Sequence, residues 1–512
     1  MKQKGRRLLG LPALLLIASS AVIPLVVLAT SVVRVRDLSA IWSKPGVRDA
    51  IFFSTWQALA STFLTLALGL FPAWILTRYQ FRGRHIVVAL MTVPFVLPTV
   101  AVGAAFLAVL PPALHRSTVA ILLAHVFFNI SIVVRTVGPL WGTIDEHLLE
   151  AARSLGASPS QIWRRVILPI ARPAIWSSGL LTFLMCFTSY GIVTILGGPG
   201  LATLDREIYR RAVPLGDLSG ATILAVAQTA VVGTVFAIWT RRRNTAMSTI
   251  AGRSTPSRRL PAGPKLLLAL MSALFVAPIL ALVVASFRAG GDWSTSGWKV
   301  LFGLQQIRGI DLELATIIRT SVVYAVLAMA IAVPIGIAAA QAMASNLRID
   351  SWTVLPLATS PVVVGLGILV TYDHWPVDFR SSWFLIPVVH ASIAVPFVVR
   401  SALPVVQAIP QDLRSAASTL GAGPWRRFFA IDWPLLRPAV SAGLAFSFAM
   451  SIGEFGATSF LTRRDSETLP ISIASLFGKV GEIPRTTGMA ASVLLLVLVA
   501  GVVLVIDRRS QI

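Results

Sequence analysis

The sequence predicts an all-α polytopic membrane protein of about twelve transmembrane helices, arranged as two parallel repeats about a pseudo-twofold axis. Three observations carry that expectation. Of 512 residues, 56% are hydrophobic and only 13% charged, with a mean hydropathy of +0.80, whereas a soluble domain carries roughly 25% charged residues. Apolar runs recur at about the length that crosses a bilayer as helix, roughly 20 residues. One constant offset, the step from His125 to His390, lays the second half of the chain on the first.

The first six runs lie near 8–33, 52–76, 86–110, 117–140, 174–197 and 219–240. The second six lie near 264–287, 317–340, 351–371, 383–404, 438–460 and 488–506, the third of these interrupted by Pro356 and Pro361. The run from Leu8 to Val33 exceeds the roughly 7–15 apolar residues of a signal-peptide core, so it reads as an uncleaved first helix.

The formal charge is +23, but the basic residues cluster at the ends of apolar runs. That is the pattern of membrane topology, not of nucleic-acid binding. With Lys2, Lys4, Arg6 and Arg7 inside, alternation puts Arg78, Arg82, Arg84, Arg241–Arg243 and Arg508–Arg509 inside too, so both termini are expected in the cytoplasm. Arginines of the outer loops are accompanied by Asp205, Glu207 and Asp217. Residues 241–265, rich in Arg, Ser, Pro and Gly, read as a cytoplasmic linker between units 1–240 and 266–512. The single cysteine, Cys186, excludes an intrachain disulfide and a cysteine-built metal cluster.

The repeat is detailed. Under the same offset Val133-Val134-Arg135-Thr136 falls on Val398-Val399-Arg400-Ser401, Gly156 on Gly421, Pro169 on Pro434, and Gly191 on Gly456. An even number of spans per half makes the repeats parallel, with an axis along the membrane normal and a path between them.

Between the fourth and fifth runs stands Glu150-Ala151-Ala152, then Gly156, then Val166-Ile167-Leu168-Pro169. Gly156 ends one helix, since glycine accepts the left-handed turn there. Ser158 and Pro159 start another. The second copy reads Ser415-Ala416-Ala417, Gly421 and Ile431-Asp432-Trp433-Pro434, with Gly423 and Pro424 at the restart. Each new helix has an apolar face, carrying Trp163, Val166 and Ile167 in one and Trp425, Phe428 and Phe429 in the other. Such a helix needs a groove to bury that face. The alternative is an interfacial helix lying on lipid, which Arg164–Arg165 and Arg426–Arg427 would also suit.

This pattern resembles the EAA loop of binding-protein-dependent ABC importer permeases. The second copy departs from it at Ser415 and Trp433. The resemblance implies a type I importer permease in a bacterial-type inner membrane. It also implies that the helices after Gly156 and Gly421 couple to two copies of a separate ATPase, and that an extracytoplasmic binding protein delivers the substrate. The chain has no Gly-x-x-x-x-Gly-Lys-Ser/Thr phosphate loop. It is therefore expected to be no enzyme and to bind no cofactor, with ATP and Mg held by the partner ATPase subunits.

Glu454 lies inside the eleventh run, and its repeat partner is Ser189. An intramembrane carboxylate faces a cavity or a partner. Glu454, Ser189 and Tyr190 are thus candidates for the translocation path, with a packing role for Glu454 as the alternative. His125 and His390 are read as polar helix–helix contacts, and no metal site is assigned. Arg135 and Arg400, near helix ends, are read as snorkelling.

The fused layout, the Cys186–Gly191 string, the Gly-Gly-Pro-Gly loop at 197–200 and Gly453–Thr458 look like the ferric-iron permeases. Thiamine permeases share the layout and much of the pattern. Polyamine, sulfate and molybdate permeases share the second string. A twelve-helix secondary transporter is the alternative of another class, but it has no use for paired EAA loops.

Overall fold

The computed structural model describes residues 9–33, 46–246, 258–307, 309, 312–345, 359–372 and 382–510. Ten helices are long and apolar enough to cross a membrane, and a bent pair makes an eleventh, among the described residues. In the first half these are α1 (Leu11–Ser31), α2 (Val47–Arg78), the bent pair α3 and α4 (Arg84–Val96, Thr99–Val109), α5 (Thr118–Trp141), α7 (Pro159–Phe187) and α10 (Leu218–Ala246). Between them lie α6 (Glu146–Ser154), α8 (Gly191–Leu196) and α9 (Leu204–Ala212). The second half repeats the order. It has α11 (Ala262–Ser286), α12 (Leu314–Ser345), α13 (Pro361–Tyr372), α14 (Leu385–Ala408), α15 (Gln411–Thr419), α16 (Trp425–Ile452), α17 (Thr458–Leu461), α18 (Leu469–Gly478) and α19 (Glu482–Ser510).

Four expected spans differ. The run 86–110 is two helices meeting at 113°. Leu97, which precedes Pro98, is extended, as the steric clash of a proline ring with the residue before it demands. The runs 174–197 and 438–460 start earlier, inside the EAA segments, and α7 and α16 end at Phe187 and Ile452. Of the run 351–371, residues 351–358 lie outside the described residues, and the remainder belongs to the short α13. The N-terminal basic cluster and residues 247–257 of the linker also lie outside them. Arg258–Arg259, at the linker's end, pairs as a short parallel strand with Tyr79–Gln80.

The spanning helices are apolar all round, so polarity marks the inside. On α2, Ser54, Gln57, Ser61 and Thr65 are buried while Phe52, Phe63 and Phe71 are exposed. Lipid solvates the phenylalanines as well as a core would, and small polar side chains let helices approach and hydrogen-bond. Within each half, α2 packs on α5 and α7, and α12 packs on α14 and α16. The first helix of each half crosses over: α1 packs on α13, where Gly367 lies against Pro24, and α11 packs on α4. Phe127 of the first half stacks on Phe275 of α11 at 5.1 Å.

The bundle has two distinct ends. At one, Leu204 N–H donates to Ser54 Oγ (2.7 Å), near the start of α2. At the other, Arg78, closing α2, pairs with Glu146 of α6 (3.2 Å). At the α9 end the acids neutralise the arginines: Glu207 binds Arg210 (2.7 Å) and Arg211 (2.8 Å), and Arg211 binds Asp217 (2.9 Å).

Candidate functional site

The two EAA segments have one backbone. Leu155 N–H donates to the Ala151 carbonyl, Gly156 to Arg153 and Ala157 to Ala152. The second copy repeats this with Leu420 to Ala416, Gly421 to Ser418 and Ala422 to Ala417. The bond from Ala157 back to Ala152 is the long closure of a Schellman turn, which needs a left-handed residue at its glycine. Gly156 has φ +80° and Gly421 φ +77°. Asp145 caps α6 through His147 N–H, and Ser158 caps α7 in a capping box with Gln161. Each restarted helix then runs into its span through one π turn, Trp163–Ile167 and Phe428–Asp432.

Side chains sort into outward and inward sets. Glu150, Ala151, Gly156 and Pro169 are exposed, as are Ser415, Ala416, Gly421 and Pro434, while Ala152 and Ala417 are half-buried. Among the described residues Glu150 pairs only with His147, at 3.9 Å, and its carboxylate is exposed. Trp425 is 77% exposed, and Phe428 is half-buried beside Trp433. Trp163 corrects the expected outward face. Its ring turns into the bundle, 5.5 Å from Trp74 and 6.0 Å from Trp141, because the π turn places it at the junction with the span.

Sequence reasoning missed two pairs on this surface. Leu155 and Leu420, immediately before the turn glycines, are 88% and 86% exposed, and Leu148 and Leu413 are 47% and 48% exposed. Each pair is related by the same offset as the two glycines. An apolar residue just ahead of the turn glycine in both repeats is the signal that could have found them.

Deeper in, both halves wall a cavity of about 210 Å³. The first half contributes His125, Ser189 and Tyr190; the second contributes Ile393, Glu454 and Phe455. Tyr190 stacks on Phe455 across the seam, with centroids 4.9 Å apart at 15°. Asp205 of α9 accepts from Ser360 of the second half and from Gln228, each at 2.7 Å. Gly191 and Gly456 bring α8 and α17 against α4 and α13. A Cβ on Gly191 would run into Thr99 Oγ1, and one on Gly456 would lie 3.0 Å from Pro361.

The three path candidates therefore share one cavity wall. Glu454 is also a brace. Its carboxylate accepts from Ala457 N–H (2.8 Å), Thr458 N–H (2.9 Å) and the Thr458 hydroxyl, and lies 3.3 Å from His390 Nε2. His390 Nδ1 meets Ser451 Oγ at 2.8 Å. The first half replaces the carboxylate with a hydroxyl: His125 Nε2 meets Ser189 Oγ (2.8 Å) and Nδ1 meets Ser61 Oγ (3.1 Å). Each histidine is thus a polar contact inside its own half. Arg135 and Arg400, read as snorkelling, are exposed and half-buried respectively. Each guanidinium lies 5.7 Å from a ring of the opposite half, Phe446 and Trp239.

Two parallel halves, a cavity on their seam and a helix–glycine–helix loop repeated at one end define the membrane component of a binding-protein-dependent importer. Residues 65–249 and 332–510, well over half the chain, match the family described as the binding-protein-dependent transport system inner membrane component, and the chain belongs to it. It is a multi-pass inner-membrane permease of the fused two-unit type. It is similar to the thiamine transport system permease protein ThiP of Brucella abortus (strain 2308), with 25% identity over 90% of this chain and 87% of that protein. It is also similar to ThiP of Escherichia coli (strain K12), with 24% identity over 90% and 89%. The molybdenum transport system permease protein ModB of Haemophilus influenzae is 35% identical over 28% of this chain and 70% of its own length.

Proposed function

We propose that the chain forms the membrane path of a thiamine importer. A binding protein delivers the substrate at the α9 end, and two copies of a separate ATPase, which hold ATP and Mg, drive transport from the EAA end. One observation carries the choice of cargo. The similarity to the thiamine permeases runs the length of a fused two-unit chain, 90% of it, whereas the ModB match covers a single unit. The ferric-iron expectation rests on short strings that the thiamine permeases largely share, and it yields to this broader match. Chemistry agrees. Thiamine carries a cationic ring and an aromatic ring, and the seam cavity offers the aromatic faces of Phe128, Tyr190, Phe397 and Phe455; such faces attract cations.

On this reading the α6–α7 and α15–α16 loops lie in the cytoplasm with both termini. The ATPase groove covers Leu148, Leu155, Leu413, Leu420 and Trp425, and Glu150 adds a charge that Ser415 lacks. The test is uptake into proteoliposomes holding the chain and its ATPase, with the binding protein outside and ATP inside. Labelled thiamine should accumulate, and labelled ferric iron should not. Accumulation of iron without thiamine would overturn the assignment of cargo.

A further inference from the structure

The second half has an open groove where the first half is filled. In the first half Trp74 packs edge to face on both Trp141 and Trp163 beneath the coupling helix, at 5.5 Å, and those two rings lie tilted at 6.0 Å. Their repeat partners, under the offset that relates His125 to His390, are Ala339, Val406 and Phe428. Two indoles are reduced to a methyl and an isopropyl group, and the third to a phenyl ring. At this place a cavity of about 710 Å³ opens, lined by Met329, Val333, Ile337, Val406, Phe428 and Leu444. The wall changes too. Leu149 and Ile167, buried in the first half, are matched by Arg414 and Asp432. Arg414 donates to Asp432 Oδ1 through Nε (2.9 Å) and Nη2 (2.7 Å), so that pair is neutral as a unit.

What remains uncompensated is positive. Arg427 lines the groove and donates through Nη1 to Ser418 Oγ at 2.9 Å. Among the described residues no carboxylate forms an ion pair with Arg427 or with the exposed Arg426. A guanidinium with free donors matches a phosphate. Trp425, stacked with Phe429 at 6.3 Å, stands at the rim of the groove.

We propose that this groove is a binding site for one anionic phospholipid, its acyl chain between α12 and α16 and its phosphate on Arg427 and Arg426. The lipid does in the second half what the tryptophan cluster does in the first: it supports the coupling helix from below. In the first half the three indoles occupy the equivalent place. The functional reading above enters only in naming the cytoplasmic leaflet as the source of the lipid.

The test is native mass spectrometry of the full chain released from nanodiscs containing equal dioleoyl-phosphatidylglycerol and dioleoyl-phosphatidylcholine. A photoreactive phosphatidylglycerol maps the contact. Wild type should retain one phosphatidylglycerol with about thirtyfold preference over phosphatidylcholine, the scale expected of two arginines near a membrane surface. Label should fall on α12 and α16. Arg427→Gln should cut the headgroup preference about fivefold, the share of one arginine, and Arg427→Gln with Arg426→Gln should remove it. Val406→Trp, which restores the first half's indole, should remove the lipid, and the milder Ala338→Leu should weaken retention if the tryptophan prevents folding. Equal retention of both lipids, retention undiminished in the filled variants, label on α2 and α7 instead, or displacement of the lipid by added ATPase would each overturn the proposal. Lipid retention is read without transport, so it stands or falls apart from the choice of cargo.

Discussion

Replacing Gly156 with alanine isolates one backbone torsion. A Cβ on Gly156 or on Gly421 meets no atom within 4 Å, so the substitution brings no clash. The cost is that of holding an L-residue at φ +80° or +77°, about 1–2 kcal/mol. The loop is exposed and can relax, but relaxation breaks the bond from Ala157 to Ala152 and tilts the start of α7 away from its docked direction. A penalty of that size corresponds to about a 5- to 30-fold loss in the population of the native turn. Asparagine visits the left-handed region routinely, so Gly156→Asn should stay close to wild type. The assay is the amount of ATPase co-purified with each variant at matched membrane levels, alongside thiamine uptake. Gly156→Ala and Gly421→Ala should each lose docking by that factor, while both asparagine variants retain it. If alanine and asparagine behave alike at either position, the left-handed turn is not what aims the coupling helix.

Two further outcomes follow from the geometry. Leu155→Ala and Leu420→Ala remove side chains that touch little of this chain, so its own stability should change by no more than about 0.5 kcal/mol. ATPase binding should weaken by about 2 kcal/mol per loop, the worth of burying a leucine; calorimetric unfolding and a binding titration separate the two effects, and a loss of chain stability without a loss of binding would contradict the assignment. Glu454→Gln leaves His390 and two backbone N–H groups with a poorer acceptor, at about 1.5–3 kcal/mol for charge-assisted bonds. Its midpoint of thermal unfolding should fall and transport should follow protein abundance; an unchanged midpoint with transport abolished would show that Glu454 acts on cargo and not as a brace.

The legible part of this protein is whatever repeats. The offset read from His125, Gly156 and Gly191 also relates α6 to α15 and α7 to α16, because one backbone solution serves both halves. The turn glycines and the restart at Ser158 are readable because local chemistry fixes them. Burial is not readable. Lipid is as apolar as the core, so Phe52 and Phe53 look alike in sequence although one is 72% exposed and the other 8%. Nor can sequence show the inward turn of Trp163, which depends on a π turn and on two partners from other helices. The break at Leu97–Pro98 is written in its proline but hidden by an unbroken apolar run. Glu454 is ambiguous in sequence because its partner, His390, belongs to a different helix, α14.

The central claim is that both EAA loops dock an ATPase, and one cross-linking measurement tests it directly. In a Cys186→Ser background, cysteines at position 155 and, separately, at position 420 are joined to a cysteine in the groove of the ATPase, in membranes holding the assembled complex. Each site should give a permease–ATPase adduct of comparable yield. The two sites together should give one permease chain carrying two ATPase chains. Adducts from neither loop, or a single ATPase chain bound at saturation, would contradict the account.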